Sequence, residues 1–182
     1  MERYRITSEA AVYFVTWSIV EWLPVFVSEP AFRIITDSLE FCHRQKGLRT
    51  NAFVIMPTHF HAIVFHESYD PDALAAALTE MRKFTGRALA DLCQTAMPEC
   101  FSRALVESAG VDRNRRVWQP SRHPVAVTSE AFYRQKLDYL HDNPVRKGLV
   151  VRAGDWRFSS ARWYLSEMSV PSELTLSRIN WD

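Results

Sequence analysis

The chain has 182 residues, of which 47% are hydrophobic and 24% charged, and its net charge is +1. That balance excludes a disordered chain and a collagen-like one, and the length suits one domain, or one domain with an extension. Six Trp, eleven Phe and six Tyr supply the bulk for a core.

Residues 12–19 alternate bulky and small side chains and predict a first strand. The surrounding stretch, 10–27, has the apolar content of a membrane span, but Glu21 and Pro24 interrupt it, so a buried strand fits better. Ser28 or Glu29 before Pro30 marks a helix start, and Phe32, Ile35, Leu39 and Cys42 continue it at spacings of three and four to a stop at Gly47. Residues 50–56 predict a second strand and 59–66 a third, with Pro57-Thr58 as a tight connection between them. Residues 71–92, rich in Ala and Leu, predict a second helix.

Residues 94–116 show no clear period and predict a loop, followed by a short fourth strand at 117–120. Thr128 or Ser129 can cap a further helix through Leu140, with Glu130 at its positive end and Pro144 ending it. The order strand, helix, strand, strand, helix, strand predicts an α+β, ferredoxin-like split βαβ fold. Its antiparallel sheet carries helices on one face, plus a C-terminal tyrosine-bearing helix. Residues 1–165 form one expected domain and 166–182 a C-terminal extension. Cys42, Cys93 and Cys100 form no CxxC and cannot all pair, which suits a reducing cytoplasm. The N-terminal Met-Glu-Arg-Tyr-Arg leads into no signal-peptide pattern.

Chemistry concentrates in two segments. In Met56-Pro57-Thr58-His59-Phe60-His61-Ala62-Ile63-Val64, residues two apart on a strand share a face, so His59 and His61 project side by side. Two such imidazoles can hold one divalent metal, and they equally suit a pair of surface histidines. In Lys136-Leu137-Asp138-Tyr139-Leu140-His141-Asp142-Asn143-Pro144-Val145-Arg146, Tyr133, Leu137 and Leu140 form the apolar stripe. Tyr139 lies off that stripe, with Asn143 four residues later on a nearby face. Helical tyrosines usually pack, so spacing alone does not select this one.

Together these segments resemble a known family. Met-Pro-Thr-His-Phe-His resembles the HUH motif (His, hydrophobic, His) of single-tyrosine transposases, and Tyr-Leu-His-Asp-Asn-Pro-Val-Arg-Lys-Gly-Leu-Val resembles their tyrosine helix and the turn after it. Val117-Trp118-Gln119 and Asp155-Trp156-Arg157-Phe158-Ser159-Ser160-Ala161 are similar to two blocks of the branch called REP-associated tyrosine transposases. The four blocks occur in the family's order between about residues 4 and 164. The resemblance implies His59 and His61 as metal ligands, Asn143 as a polar third ligand, and Tyr139 as nucleophile. It implies Mg²⁺ or Mn²⁺ as cofactor, single-stranded DNA with REP-like hairpins as partner, and a monomer or homodimer. The implied reaction is nicking and rejoining of single strands through a 5′-phosphotyrosine. After Trp118-Gln119 the text Pro120-Ser121-Arg122-His123-Pro124 departs from the aromatic-rich stretch many relatives carry.

The basic residues fit that partner. Between residues 103 and 162, twelve basic side chains stand against six acidic ones, a distribution that suits a polyanion or a solvated surface. Arg82, Lys83 and Arg87 on the second helix, Arg113, Arg115 and Arg116 in the loop, and Lys136 and Arg146 around Tyr139 are candidate phosphate contacts. Trp118 or Trp163 could stack unpaired bases. Two other readings are weighed against the enzyme: a hairpin-binding protein that has retired its chemistry, and a zinc hydrolase. The second lacks a carboxylate or further histidine at zinc-site spacing.

Overall fold

The computed structural model describes residues 6–7, 10–111, 114–120 and 124–179. Strand β1 (Val12–Ser18) is central, and a sharp turn leads from it into α1 (Glu29–Gln45). Strands β2 (Leu48–Met56) and β3 (His59–His66) form a hairpin through Pro57-Thr58, and α2 (Pro71–Ala96) crosses back. A short α3 (Glu99–Glu107) precedes β4 (Val125–Ala126), and α4 (Glu130–Arg146) and α5 (Ala161–Leu165) complete the regular elements. The sheet order is β2-β3-β1-β4 with every pairing antiparallel, so β1 and β2 run parallel with β3 between them. That is the split βαβ, ferredoxin-like arrangement.

The period of two divides the strand residues between two layers. Tyr13, Val15, Trp17, Phe53, Ile55, Phe60, Ala62 and Val64 face α1 and α2, where Phe32, Ile35, Leu39, Leu74 and Met81 bury against them. Val12, Phe14, Ala52, Val54, Met56, Ile63 and Phe65 face the other way, under Leu140 and Leu137 of α4. His59 and His61 share the parity of Ile63 and Phe65, so both belong to the α4 face. No helix among the described residues is long and apolar enough to cross a membrane.

Three elements differ from the sequence expectation. Residues 94–116 are not all loop: α2 extends to Ala96 and α3 follows, held by the fully buried Leu105, with Phe101 one turn before it. Nine residues with so few apolar positions show no period. The fourth strand is Val125–Ala126 rather than 117–120, yet Trp118 also bridges Ile19 on the same edge of β1. Pro120 and Pro124, lacking N–H donors, flank the gap between the two pieces. The third difference is that α4 runs through Pro144 to Arg146. The proline sits in the last turn, where its missing donor removes a single bond, and the Lys147 N–H to Asn143 carbonyl bond (3.1 Å) closes the end.

The outer edge of β2 is covered. The Ile55 N–H donates to the Phe158 carbonyl (2.9 Å), Ser160 N–H to Phe53 (2.9 Å) and Ser177 N–H to Thr50 (2.8 Å). A register shift between Thr50 and Ala52 sets Asn51 apart from the ladder. Its carboxamide oxygen accepts from the hydroxyls of Tyr133 (2.9 Å) and Tyr164 (3.0 Å), and its amide donates to the Ser177 carbonyl (2.9 Å). One buried side chain therefore ties α4, α5 and the C-terminal segment to β2. Asn51→Ala is expected to lower unfolding free energy by about 1–3 kcal/mol in a urea titration and to speed proteolytic cutting near residue 170. An unchanged midpoint would mean the two phenols find equivalent partners without it.

Candidate active site

The site begins with strand register. Thr16 on β1 stands opposite His61 on β3, and Ser18 opposite His59. The Thr16 hydroxyl lies 2.7 Å from Nδ1 of His61, and the Thr58 hydroxyl 2.9 Å from Nδ1 of His59. With each hydroxyl accepting from Nδ1–H, each Nε2 keeps its lone pair. The two rings sit 4.7 Å apart, centre to centre. His61 is 4% exposed, and its Nε2 finds no hydrogen-bond partner among the described residues. Burial lowers the pKa of His59 to about 4, helped by the nearby Lys147 charge. It lowers that of His61 to about 3, with His59 and Lys136 adding to the effect. Both rings are neutral at physiological pH, the form that binds a metal.

Helix α4 lays Tyr139 over this pair. Its ring is 5.6 Å from His61 and 6.1 Å from Phe14, which stacks on His61 at 5.2 Å. Tyr139 is 39% exposed, so a large substrate can reach its hydroxyl. The ammonium of Lys136 lies 5.9 Å from the Tyr139 ring centre and the Arg146 guanidinium 5.2 Å, so positive charge flanks the phenol on two sides. Tyr139 meets His61 and Lys147 acts on His59, so α4 runs along the histidine pair. Asn143, between those two positions on the chain, is buried.

An orphaned buried imidazole nitrogen beside a second neutral imidazole fits a divalent metal. A closed zinc site does not fit: among the described residues no three His, Cys, Asp or Glu side chains converge. His141 Nε2 is 2.8 Å from the Ser160 hydroxyl, and burial depresses its pKa to about 4. Tyr133, the other tyrosine of α4, points its hydroxyl at Asn51 and Tyr164, away from the histidines. Burial and the Tyr133 hydroxyl push the Tyr164 phenol far up and keep it protonated.

Five of the basic candidates gather on the opposite layer. Arg82, Lys83, Arg87, Arg115, Arg116 and Trp118 line one groove of about 650 Å³ between α2 and residues 115–120. Lys83 and Arg87 are its exposed cations. Arg115 pairs with Asp91 at 2.8 Å, and the Arg82 guanidinium packs against Trp17 and Trp118 while donating to the Gln119 carbonyl. Trp118 is 6% exposed, donates from Nε1 to the Thr85 hydroxyl (3.2 Å) and packs on Trp17, so it is a core wall rather than an open stacking face. Arg113 lies outside the described residues. Thr16 and Thr58 were not picked out by the sequence. Thr58 adjoins the histidine motif and could have been, whereas Thr16 becomes relevant only through strand pairing.

No family model matches the chain. A REP-associated tyrosine transposase of Escherichia coli strain K12 is 26% identical over 129 residues, which is 71% of this chain and 64% of that protein. The chain is similar to the REP-associated tyrosine transposases. The solved structure of a REP-associated tyrosine transposase bound to a REP hairpin has the same fold. It superposes with a TM-score of 0.67 at 20% identity, covering 100% of this chain and 93% of that one. The match spans less than two thirds of the length of the E. coli relative.

The depressed histidines give this protein an expected pH dependence. His59, His61 and His141 ordinarily titrate near 6.5, so on acidification the unfolded chain takes up protons before the folded one does. Stability should be fully present above about pH 6.5 and fall as pH drops toward 4. Urea midpoints at several pH values check this, and the double variant His59→Gln, His61→Gln should show a shallower fall. Identical slopes in both proteins would assign the effect to other groups.

Proposed function

We propose that this chain nicks and rejoins single-stranded DNA beside hairpins, with Tyr139 as nucleophile and a divalent metal held by His59, His61 and Asn143. The observation that carries the reading is Tyr139, partly exposed, standing 5.6 Å from a buried neutral histidine whose Nε2 has no partner among the described residues. Mg²⁺ or Mn²⁺ bound there would polarise the scissile phosphate and offset its developing charge.

The chain's own residues supply the rest. The Tyr139 oxygen bonds to phosphorus as the bond from phosphorus to the 3′-oxygen breaks. The phenol proton is lost to solvent, and the departing 3′-oxygen takes one up. The DNA 5′ end is then joined to Tyr139 and the other end is a free 3′-hydroxyl. The phosphodiester energy is retained, so a 3′-hydroxyl attacking the same phosphorus reverses the step without ATP. Lys136 and Arg146, close to the Tyr139 ring, attract the phosphate. Lys83 and Arg87 hold the strand further away by phosphate contacts.

Labelled hairpin oligonucleotides copied from palindromes flanking the coding sequence test the reaction, incubated with Mn²⁺ or Mg²⁺ and run on a denaturing gel. Wild type should form a protein-linked DNA band, and Tyr139→Phe should lose it while hairpin affinity changes less than about threefold. Tight binding by both without an adduct would instead favour a binder with retired chemistry. His59→Ala and His61→Ala should each weaken Mn²⁺ binding by about tenfold or more in calorimetry. Unchanged affinity in both would sink the two-histidine site. Hairpin affinity should also fall steeply between 50 and 200 mM salt, by roughly tenfold for every few phosphates contacted, and a flat response would count against phosphate recognition.

A further inference from the structure

The chain leaves β1 through a strained turn at the end of the sheet where the two histidines begin. Glu21 and Trp22, neither a glycine, both take left-handed backbone angles, with φ of 51° and 52°. Such strain persists where surrounding structure holds it, and the turn is held: Ile19 N–H donates to the Thr58 carbonyl (2.9 Å) and Val20 N–H to Val117 (2.8 Å). The result is an indole left 58% exposed, whereas Trp17 and Trp118 are buried. It stands edge-on to His59, 6.1 Å between ring centres. Exposing a tryptophan beside a candidate metal site through a strained turn gains the fold nothing.

The surroundings supply a path. Trp22 lines a cleft of about 510 Å³ together with Arg116 and Pro120. Those two residues also line the basic groove that carries Lys83 and Arg87. One continuous surface therefore runs from exposed cations on α2, over Trp22, to His59. We infer that Trp22 is a base-stacking platform for single-stranded DNA, holding the nucleotide beside the scissile phosphate while the strand continues into the groove of Lys83 and Arg87. This rests on the single-stranded DNA reading above and adds a residue to it. An indole face suits any base, so Trp22 would set the strand's position rather than its sequence.

Binding measured in EDTA separates this idea from the chemistry. The probes are the flanking-palindrome hairpins, with and without a single-stranded flank. Trp22→Ala should lose about tenfold or more in affinity for the flanked hairpin and little for the bare one, and Trp22→Phe should recover most of the loss. An abasic residue moved along the flank should weaken wild type by a similar factor at one position, where Trp22→Ala loses nothing further. Trp22→Gly, which accepts φ near 52° freely, should bind like Trp22→Ala without a lower Tm. Equal flank affinity in wild type and Trp22→Ala would overturn the proposal, as would a Trp22→Gly protein that melts like a core variant. If that happens while wild type still forms its Tyr139 adduct with metal, only the role of Trp22 falls. If wild type neither binds a flanked hairpin nor forms an adduct, the functional reading falls with it.

Discussion

The packing of α4 across one face of the sheet is the constraint on which the candidate site depends. That face would otherwise leave Val12, Phe14, Val54, Met56 and Ile63 in water, and Leu140 and Leu137 cover them. The same contact brings Tyr139, the more exposed of the two tyrosines of α4, over His61. A rotation of the helix by one residue would move Tyr139 about 100° around its axis and break the alignment. Asn51 fixes that rotation by gripping Tyr133 six residues earlier, while the fully buried Leu140 seats the next turn. Positioning the nucleophile candidate is thus a by-product of burying an apolar surface, secured by one polar network.

Burial also sets the electrostatics. Two histidines on a strand facing solvent would titrate near neutrality and share their lone pairs with water. Under α4 they are desolvated, with positive side chains nearby, so protonation is costly and both remain neutral. Threonine hydroxyls at each Nδ1 leave the Nε2 atoms as the free positions. A neutral donor pair in a low-dielectric floor, ringed by Lys136, Arg146 and Lys147, suits a phosphodiester far better than a cationic or neutral substrate.

The two layers of the molecule divide the labour and meet at one end. The histidines and Tyr139 lie on the α4 face, while the basic groove lies beside α2 on the other. They converge where β1 ends, because Ile19 is bonded to the β2–β3 turn and bridged to Trp118 at once. A strand of nucleic acid passing that end of the sheet would touch both layers. This geometry gives the strained Glu21-Trp22 turn its interest.

Much of this was legible in the chain itself. The strand at β1, the helix start at Ser28 before Pro30, the hairpin around Pro57-Thr58 and the side-by-side projection of His59 and His61 follow from local rules, namely side-chain period, the fit of proline to a first helical turn, and turn chemistry. The ordered motifs made the resemblance to a family readable, and with it Tyr139 as the nucleophile candidate. What no local rule could decide was which segments complete the sheet edge, since Val117–Trp118 and Val125–Ala126 are both too short to carry a period. Nor could it show that Trp118 is buried, that Arg82 is locked between tryptophans, or that Thr16 touches His61 across forty-five residues of chain. Sequence determines which residues share a face because that depends only on neighbours along the chain. Which faces meet, and so which residues form a site, depends on long-range packing, and that is settled only when the whole core closes.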